Sequence, residues 1–121
     1  MLEVKKTKSM GRGVFATQDI KSGTKLSEAD FIKVLDEQVN LCPDLAKYVF
    51  AYSNKYSALC LGIGSLFNHS DKPTAEASFG EKDDRDIMEF WSIKDIKSGE
   101  EIFINYGGEN YAFAHLLKHK K

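Results

Sequence analysis

Nine glycines punctuate the 121-residue chain, at 11, 13, 23, 62, 64, 80, 99, 107 and 108, and the segments around them are rich in Val, Ile, Phe, Tyr and Thr. Short runs of β-branched and aromatic residues bounded by glycine turns form many short strands, so the chain reads as mainly β with short helices. Leu2 to Thr7 alternates roughly apolar and polar and is predicted as a strand. Ser9-Met10-Gly11-Arg12-Gly13 is a turn, after which Val14-Phe15-Ala16 resumes a strand. Phe31 to Leu35 and Tyr56 to Leu61 are further predicted strands. After Pro43, Asp44 to Tyr52 is predicted as a helix with Leu45, Tyr48, Val49 and Tyr52 on one face. A terminal helix is expected over Glu109 to Lys118, within a C-terminal segment 109–121.

The chain also echoes itself. Phe15-Ala16-Thr17-Gln18-Asp19-Ile20-Lys21-Ser22-Gly23 is matched by Trp91-Ser92-Ile93-Lys94-Asp95-Ile96-Lys97-Ser98-Gly99. Each copy runs from an aromatic residue to Asp-Ile-Lys-Ser-Gly and leads into an apolar-containing strand. The pattern describes two similar strand–turn–strand units, with Lys-Ser-Gly as the turn and glycine at its awkward backbone angle. Two copies are too few for a solenoid, so the echo concerns architecture and not chemistry.

Composition narrows the function classes. With 42% hydrophobic and 29% charged residues and only two prolines, the chain resembles an ordinary soluble globular domain, expected as one unit over 1–121. A net charge of −1 supplies no overall basic field, so direct nucleic-acid binding is not expected. Lys5, Lys6, Lys8 and Arg12, and the closing His119-Lys120-Lys121, read as solvated termini; Glu81-Lys82-Asp83-Asp84-Arg85-Asp86 reads as a solvated, mostly acidic loop. Cys42 and Cys60 form no C-x-x-C pair and have no histidine at zinc spacing, so neither a metal site nor a disulfide framework is expected. No signal-peptide pattern and no membrane-length apolar run occurs, so a soluble intracellular protein is expected.

Three segments carry candidate chemistry. Gly11-Arg12-Gly13 would let a ligand approach the backbone, but Val-Phe-Ala follows in place of a helix with a third glycine, so the dinucleotide fingerprint fails. Taken alone it is a tight turn. Asn68-His69-Ser70 follows the apolar stretch Leu61 to Phe67, so these polar side chains would sit beside the core and need partners there. A helix cap or polar turn explains them equally well, and no neighbouring residue supports a hydrolase or metalloenzyme. Gly99-Glu100-Glu101-Ile102-Phe103-Ile104-Asn105-Tyr106-Gly107-Gly108 is a turn, an apolar strand and a second turn, with Tyr106 at the strand end. A strand-end tyrosine with a wet hydroxyl is common.

Together the three change the reading. G-R-G-V-F-A, F-N-H-S-D-K-P and G-E-E-I-F-I-N-Y-G occur in the order and rough spacing of the SET-domain family, and Ile87 to Gly107 closely resembles its C-terminal signature. The resemblance runs from about Val4 to Tyr111 and is greatest to the minimal viral and bacterial SET proteins, which lack flanking domains. It implies small curved sheets of β-clip type, with the C-terminal segment threaded in a knot-like crossing that brings Asn-His-Ser against Glu-Glu-…-Tyr. It implies S-adenosylmethionine as cofactor, held by the backbone at Gly11, Arg12 and Gly13 and by Asn68 and His69. It also implies a protein or peptide lysine as methyl acceptor, with Tyr106 where lysine meets methyl. Tyr48 and Tyr111 are the preferred channel walls by resemblance to the minimal members. Ile104 stands two residues before the catalytic tyrosine, where many members carry Phe or Tyr, so di- or trimethyl-lysine is expected.

The chain departs from the family pattern at Thr74, Ser65 and Asn105, which stand where asparagine, arginine and aspartate are frequent. The cysteine-rich segment that completes the channel in many eukaryotic members is absent, so the terminal segment Tyr111 to Leu117 or a second subunit is expected to close the site, the latter as a homodimer. A histone tail is the family's commonest substrate and would suit a nuclear protein; a ribosomal or other non-histone lysine fits a cytoplasmic one equally well. The competing expectation is a SET-fold module that binds protein or peptide without catalysis, which cofactor binding would decide.

Overall fold

The computed structural model describes residues 1–105; the expected terminal helix, Tyr106 and Tyr111 lie outside the described residues. Strand β1 (Leu2–Lys6) pairs antiparallel with β2 (Arg12–Ala16). The loop between them is closed by Thr7, whose N–H donates to the Gly11 carbonyl at 2.6 Å and whose hydroxyl accepts from the Met10 N–H at 2.8 Å. Gly11 turns the chain at φ +68°, which favours glycine. The sequence then runs through β3 (Lys25–Ala29), β4 (Phe31–Leu35), α1 (Asp36–Val39), α2 (Pro43–Ala46), β5 (Val49–Ala51), β6 (Tyr56–Cys60) and a 3-10 turn over Ile63–Leu66. It finishes with β7 (Asn68–His69), β8 (Ala75–Lys82), β9 (Arg85–Ser92) and β10 (Glu101–Ile104). One sheet has the order β1-β2-β10-β8-β9-β3, with β7 also on β10; the other has the order β4-β6-β5.

The mainly-β reading holds, and two local expectations need correction. The helix predicted over Asp44 to Tyr52 stops at Ala46, and Val49–Ala51 is a strand on β6. Val49 and Phe50 are both buried, and the β-branched and aromatic pair gains more from packing on β6 than from continuing one helical turn. The acidic run over 81–86 is solvent-exposed, yet it is the tip of the β8–β9 hairpin and not a free loop. Asp83 and Asp84 both take positive φ, as a tight two-residue hairpin turn requires. Arg85 reaches Asp30 at 2.6 Å, Lys82 reaches Glu28 at 2.8 Å, and the Tyr52 hydroxyl donates to Asp86 at 3.0 Å.

The echoed segments interlock. Ile20 and Ile96 exchange both backbone hydrogen bonds, at 2.7 and 2.8 Å, and both side chains are buried. Asp19 accepts from the Ser98 N–H and Asp95 from the Ser22 N–H, each at 2.9 Å. The Gly23 N–H donates to the Ser92 carbonyl and the Gly99 N–H to the Ala16 carbonyl, at 2.9 and 2.8 Å, so each repeat's turn closes on the other repeat. The exit strands are exchanged as well: β3 of the first repeat pairs with β9, and β10 of the second pairs with β2. Replacing Asp19 or Asp95 with alanine leaves one turn N–H without its acceptor and is expected to lower stability by about 1 kcal/mol each, read as a shift in the urea midpoint. Unchanged midpoints in both variants would remove the two aspartates from this account.

One apolar cluster joins the two sheets, with Val14, Ile102, Ile104 and Phe90 from the larger and Val49, Phe50, Ala58 and Cys60 from the smaller. Phe90 stands at its centre, 5.1 Å from the Phe67 ring and 6.0 Å from the Phe50 ring. Because Phe67 directly precedes Asn68, this core anchors the polar segment that follows it.

Candidate functional site

Strand β10 assembles the site. On one side it pairs antiparallel with β2, Glu101 opposite Phe15 and Ile102 opposite Val14. On the other it pairs parallel with β7, Phe103 opposite Asn68 and Ile104 opposite His69. The Asn68-His69-Ser70 segment and the Glu-Glu strand therefore meet, as the family resemblance implied, and the Gly11-Arg12-Gly13 loop joins them through the Arg12 carbonyl. Ser70 donates its N–H to the Ile104 carbonyl at 3.0 Å, tying the end of β10 to the polar segment just before Tyr106.

Asn68 lies at the junction and is 1% exposed. Its Nδ2 donates to the Arg12 carbonyl at 3.0 Å and to Glu101 Oε2 at 2.8 Å. Its Oδ1 is buried and has no hydrogen-bond partner among the described residues. A buried acceptor left in that state costs free energy on the order of 1–3 kcal/mol, so a ligand donor at this point would repay it. Gly13 permits the arrangement, because a Cβ there would run into the Glu101 carboxylate and press on Asn68 Nδ2. His69 is partly buried, with Nε2 3.3 Å from Asp71 Oδ1.

A cavity of about 310 Å3 is lined by Lys6, Thr7, Gly11, Arg12 and Tyr48. Tyr48 thus faces the same space as the Gly-x-Gly loop, and Arg12 links that space to Asn68 through its carbonyl. Ile104 is 1% exposed and packs within the core cluster. Tyr106 and Tyr111 belong to the undescribed segment. Two residues that depart from the family pattern have local work: the Ser65 hydroxyl donates to the Cys60 carbonyl at 2.7 Å, and the Thr74 hydroxyl accepts from the Phe103 N–H at 3.4 Å. Burial pushes the Cys60 thiol up to about 11, so it is protonated at neutral pH and is no nucleophile. Among the described residues no cluster of three or more His, Cys, Asp and Glu is placed to hold a metal ion, and no helix is long and apolar enough to cross a membrane.

Sequence reasoning missed Glu101 and Thr7. Glu101 had one signal: it is a carboxylate at the head of an otherwise apolar strand. Thr7 had none, because its role depends on the loop conformation.

A SET domain family model matches residues 11–107, from the Gly-x-Gly loop to just past Tyr106. The chain belongs to the SET-domain family. This SET domain is 34% identical over 110 residues to a Schizosaccharomyces pombe protein named histone-lysine N-methyltransferase, H3 lysine-37 specific; the match covers 88% of this chain and 73% of the relative. A crystal structure from Plasmodium falciparum, described as that of a candidate histone methyltransferase, matches with a TM-score of 0.76 and 27% identity, covering 88% of this chain and 97% of that one. The SET domain also matches a chain of the apo ctPRC2 structure with mutations in Ezh2, at TM-score 0.76 and 25% identity, covering 98% of this chain but 16% of that one.

Proposed function

We propose that this SET domain is a protein-lysine N-methyltransferase that draws its methyl group from S-adenosylmethionine and acts on a histone tail or a similarly basic peptide. The single observation that carries the cofactor reading is Asn68. Its Oδ1 is a buried acceptor with no partner among the described residues, while its Nδ2 is held by the Arg12 carbonyl. The donor it lacks is what the ammonium of the cofactor's methionyl end supplies, so the residues present fit that group. Arg12 and the neighbouring glycines offer close-approach backbone, and His69 stands next along β7 for the adenine side. When bound, the cofactor supplies an electrophilic methyl on a sulfonium.

The chain's own task is to deliver an uncharged amine on axis. A free lysine has a pKa of about 10.4, so removing its proton at neutral pH costs roughly 4–5 kcal/mol. An aromatic channel lowers that cost by desolvation, and a nearby positive charge lowers it further. Tyr48 from the Gly-x-Gly cavity, and Tyr106 and Tyr111 from the segment after β10, are the walls we assign to that channel. Tyr106 orients the amine and does not act as base. Holding amine and methyl in line then contributes several kcal/mol more. The smaller side chain of Ile104, in the position where many members carry Phe or Tyr, supports progress to di- and trimethyl-lysine. A second copy of the chain completing the channel as a homodimer belongs to the same reading, and a histone acceptor would make the protein nuclear.

The test is incubation with methyl-labelled S-adenosylmethionine and core histones, followed by mass spectrometry of the products. Label on lysine, extending beyond one methyl at exhaustive turnover, is the expected result. Only monomethyl-lysine would contradict the role given to Ile104. No transfer and no cofactor binding would move the assignment to a non-catalytic peptide-binding module.

A further inference from the structure

We propose that Glu101 is a positioning residue that fixes which end of the Asn68 amide faces the cofactor; the proposal rests on the cofactor reading above. The two ends of an asparagine amide are nearly the same size, but one donates and the other accepts. Only the acceptor end can receive an ammonium. Asn68 Nδ2 points at Glu101 Oε2, at 2.8 Å, and at the Arg12 carbonyl, at 3.0 Å, and both partners only accept. Turning the amide over would set Oδ1 against a carboxylate and a carbonyl, which is repulsive on both counts. Glu101 and Arg12 therefore hold Nδ2 on their own side and leave Oδ1, buried, on the other.

Glu101 contributes the larger share, because a hydrogen bond to a charged acceptor is stronger than one to a neutral carbonyl. Its reach depends on tertiary structure throughout. The bond spans 33 positions of sequence and crosses from β10 to β7, and the carboxylate fits only because Gly13 has no side chain. The adjacent Glu100 has a different task, accepting from the Lys97 N–H at 2.6 Å within the preceding turn. The two glutamates of Gly-Glu-Glu thus divide between turn and site.

The experiment measures calorimetric affinity of the whole chain for two probes, S-adenosylhomocysteine and its analogue lacking the amino group. Glu101→Ala is expected to weaken the first on the order of 10- to 100-fold while leaving the second within about threefold of the unsubstituted chain. Glu101→Gln keeps an acceptor oxygen for Nδ2 and is expected to bind both within about threefold of the unsubstituted chain. Glu101→Met keeps the length of the side chain and removes both carboxylate oxygens, and is expected to show the same selective loss; it decides the matter should Glu101→Ala not fold. Equal losses on both probes would give Glu101 a merely structural role, and an unchanged Glu101→Ala would overturn the proposal outright. An unsubstituted chain that binds neither probe would overturn the cofactor reading and this proposal with it, whereas one that prefers the amino form regardless of Glu101 overturns this proposal alone.

Discussion

Tyr106→Phe is expected to lower methyl transfer by about two to three orders of magnitude while S-adenosylmethionine affinity stays within about threefold. The expectation follows from what the hydroxyl is asked to do. The amine must arrive uncharged and on the axis of the carbon–sulfur bond, and a neutral phenol can orient it without competing for its proton. Phenylalanine keeps the ring, its volume and its desolvating effect, and removes only that directional group. The setting supports the assignment from the near side: β10 ends at Ile104, whose carbonyl accepts from Ser70, so the chain leaves the sheet beside the Asn68-His69-Ser70 segment two residues before Tyr106. Single-turnover transfer to a histone peptide, with calorimetry on the same preparation, separates chemistry from binding. Turnover within a few-fold of the unsubstituted chain would remove Tyr106 from the reaction.

Phe90→Ala is expected to cost about 3–5 kcal/mol of folding stability, a large part of what a domain of this size has. Phe90 is fully buried and sits between the rings of Phe67 and Phe50, so truncation opens a cavity where the two sheets meet. The surroundings cannot easily collapse into it. Gly64 is already packed against one edge, where a Cβ would overlap the Phe90 ring. Since Phe67 leads directly into Asn68, cofactor affinity is expected to fall together with stability, even in the fraction that stays folded. A urea titration gives the stability and calorimetry the affinity. A loss under about 1 kcal/mol would mean that this ring is not the keystone its packing suggests.

The sequence alone determined a good deal, where the signal was local or where motifs could be read together. Glycine spacing and β-branched runs yielded the short strands, with Phe31–Leu35 recovered in full and Leu2–Lys6 nearly so. The ordered motifs identified the family. The echo of Asp-Ile-Lys-Ser-Gly was legible as two similar turns. That they close on each other was not legible, because a turn residue looks the same whether its partner is four positions away or 79. Similarly, Val49–Ala51 carries helical spacing from Leu45 to Tyr52 and is a strand only because β6 lies beside it.

The candidate site divides along the same line. Residue type and order named the candidates for it, since chemistry requires particular side chains. Tertiary structure decided how they act: β10 lies between β2 and β7, Glu101 reaches Asn68 across 33 positions of sequence, and Gly13 leaves room for that contact. Those facts come from pairings between segments distant in sequence, whose free energy depends on every neighbour already in place, and no local pattern of residues encodes them.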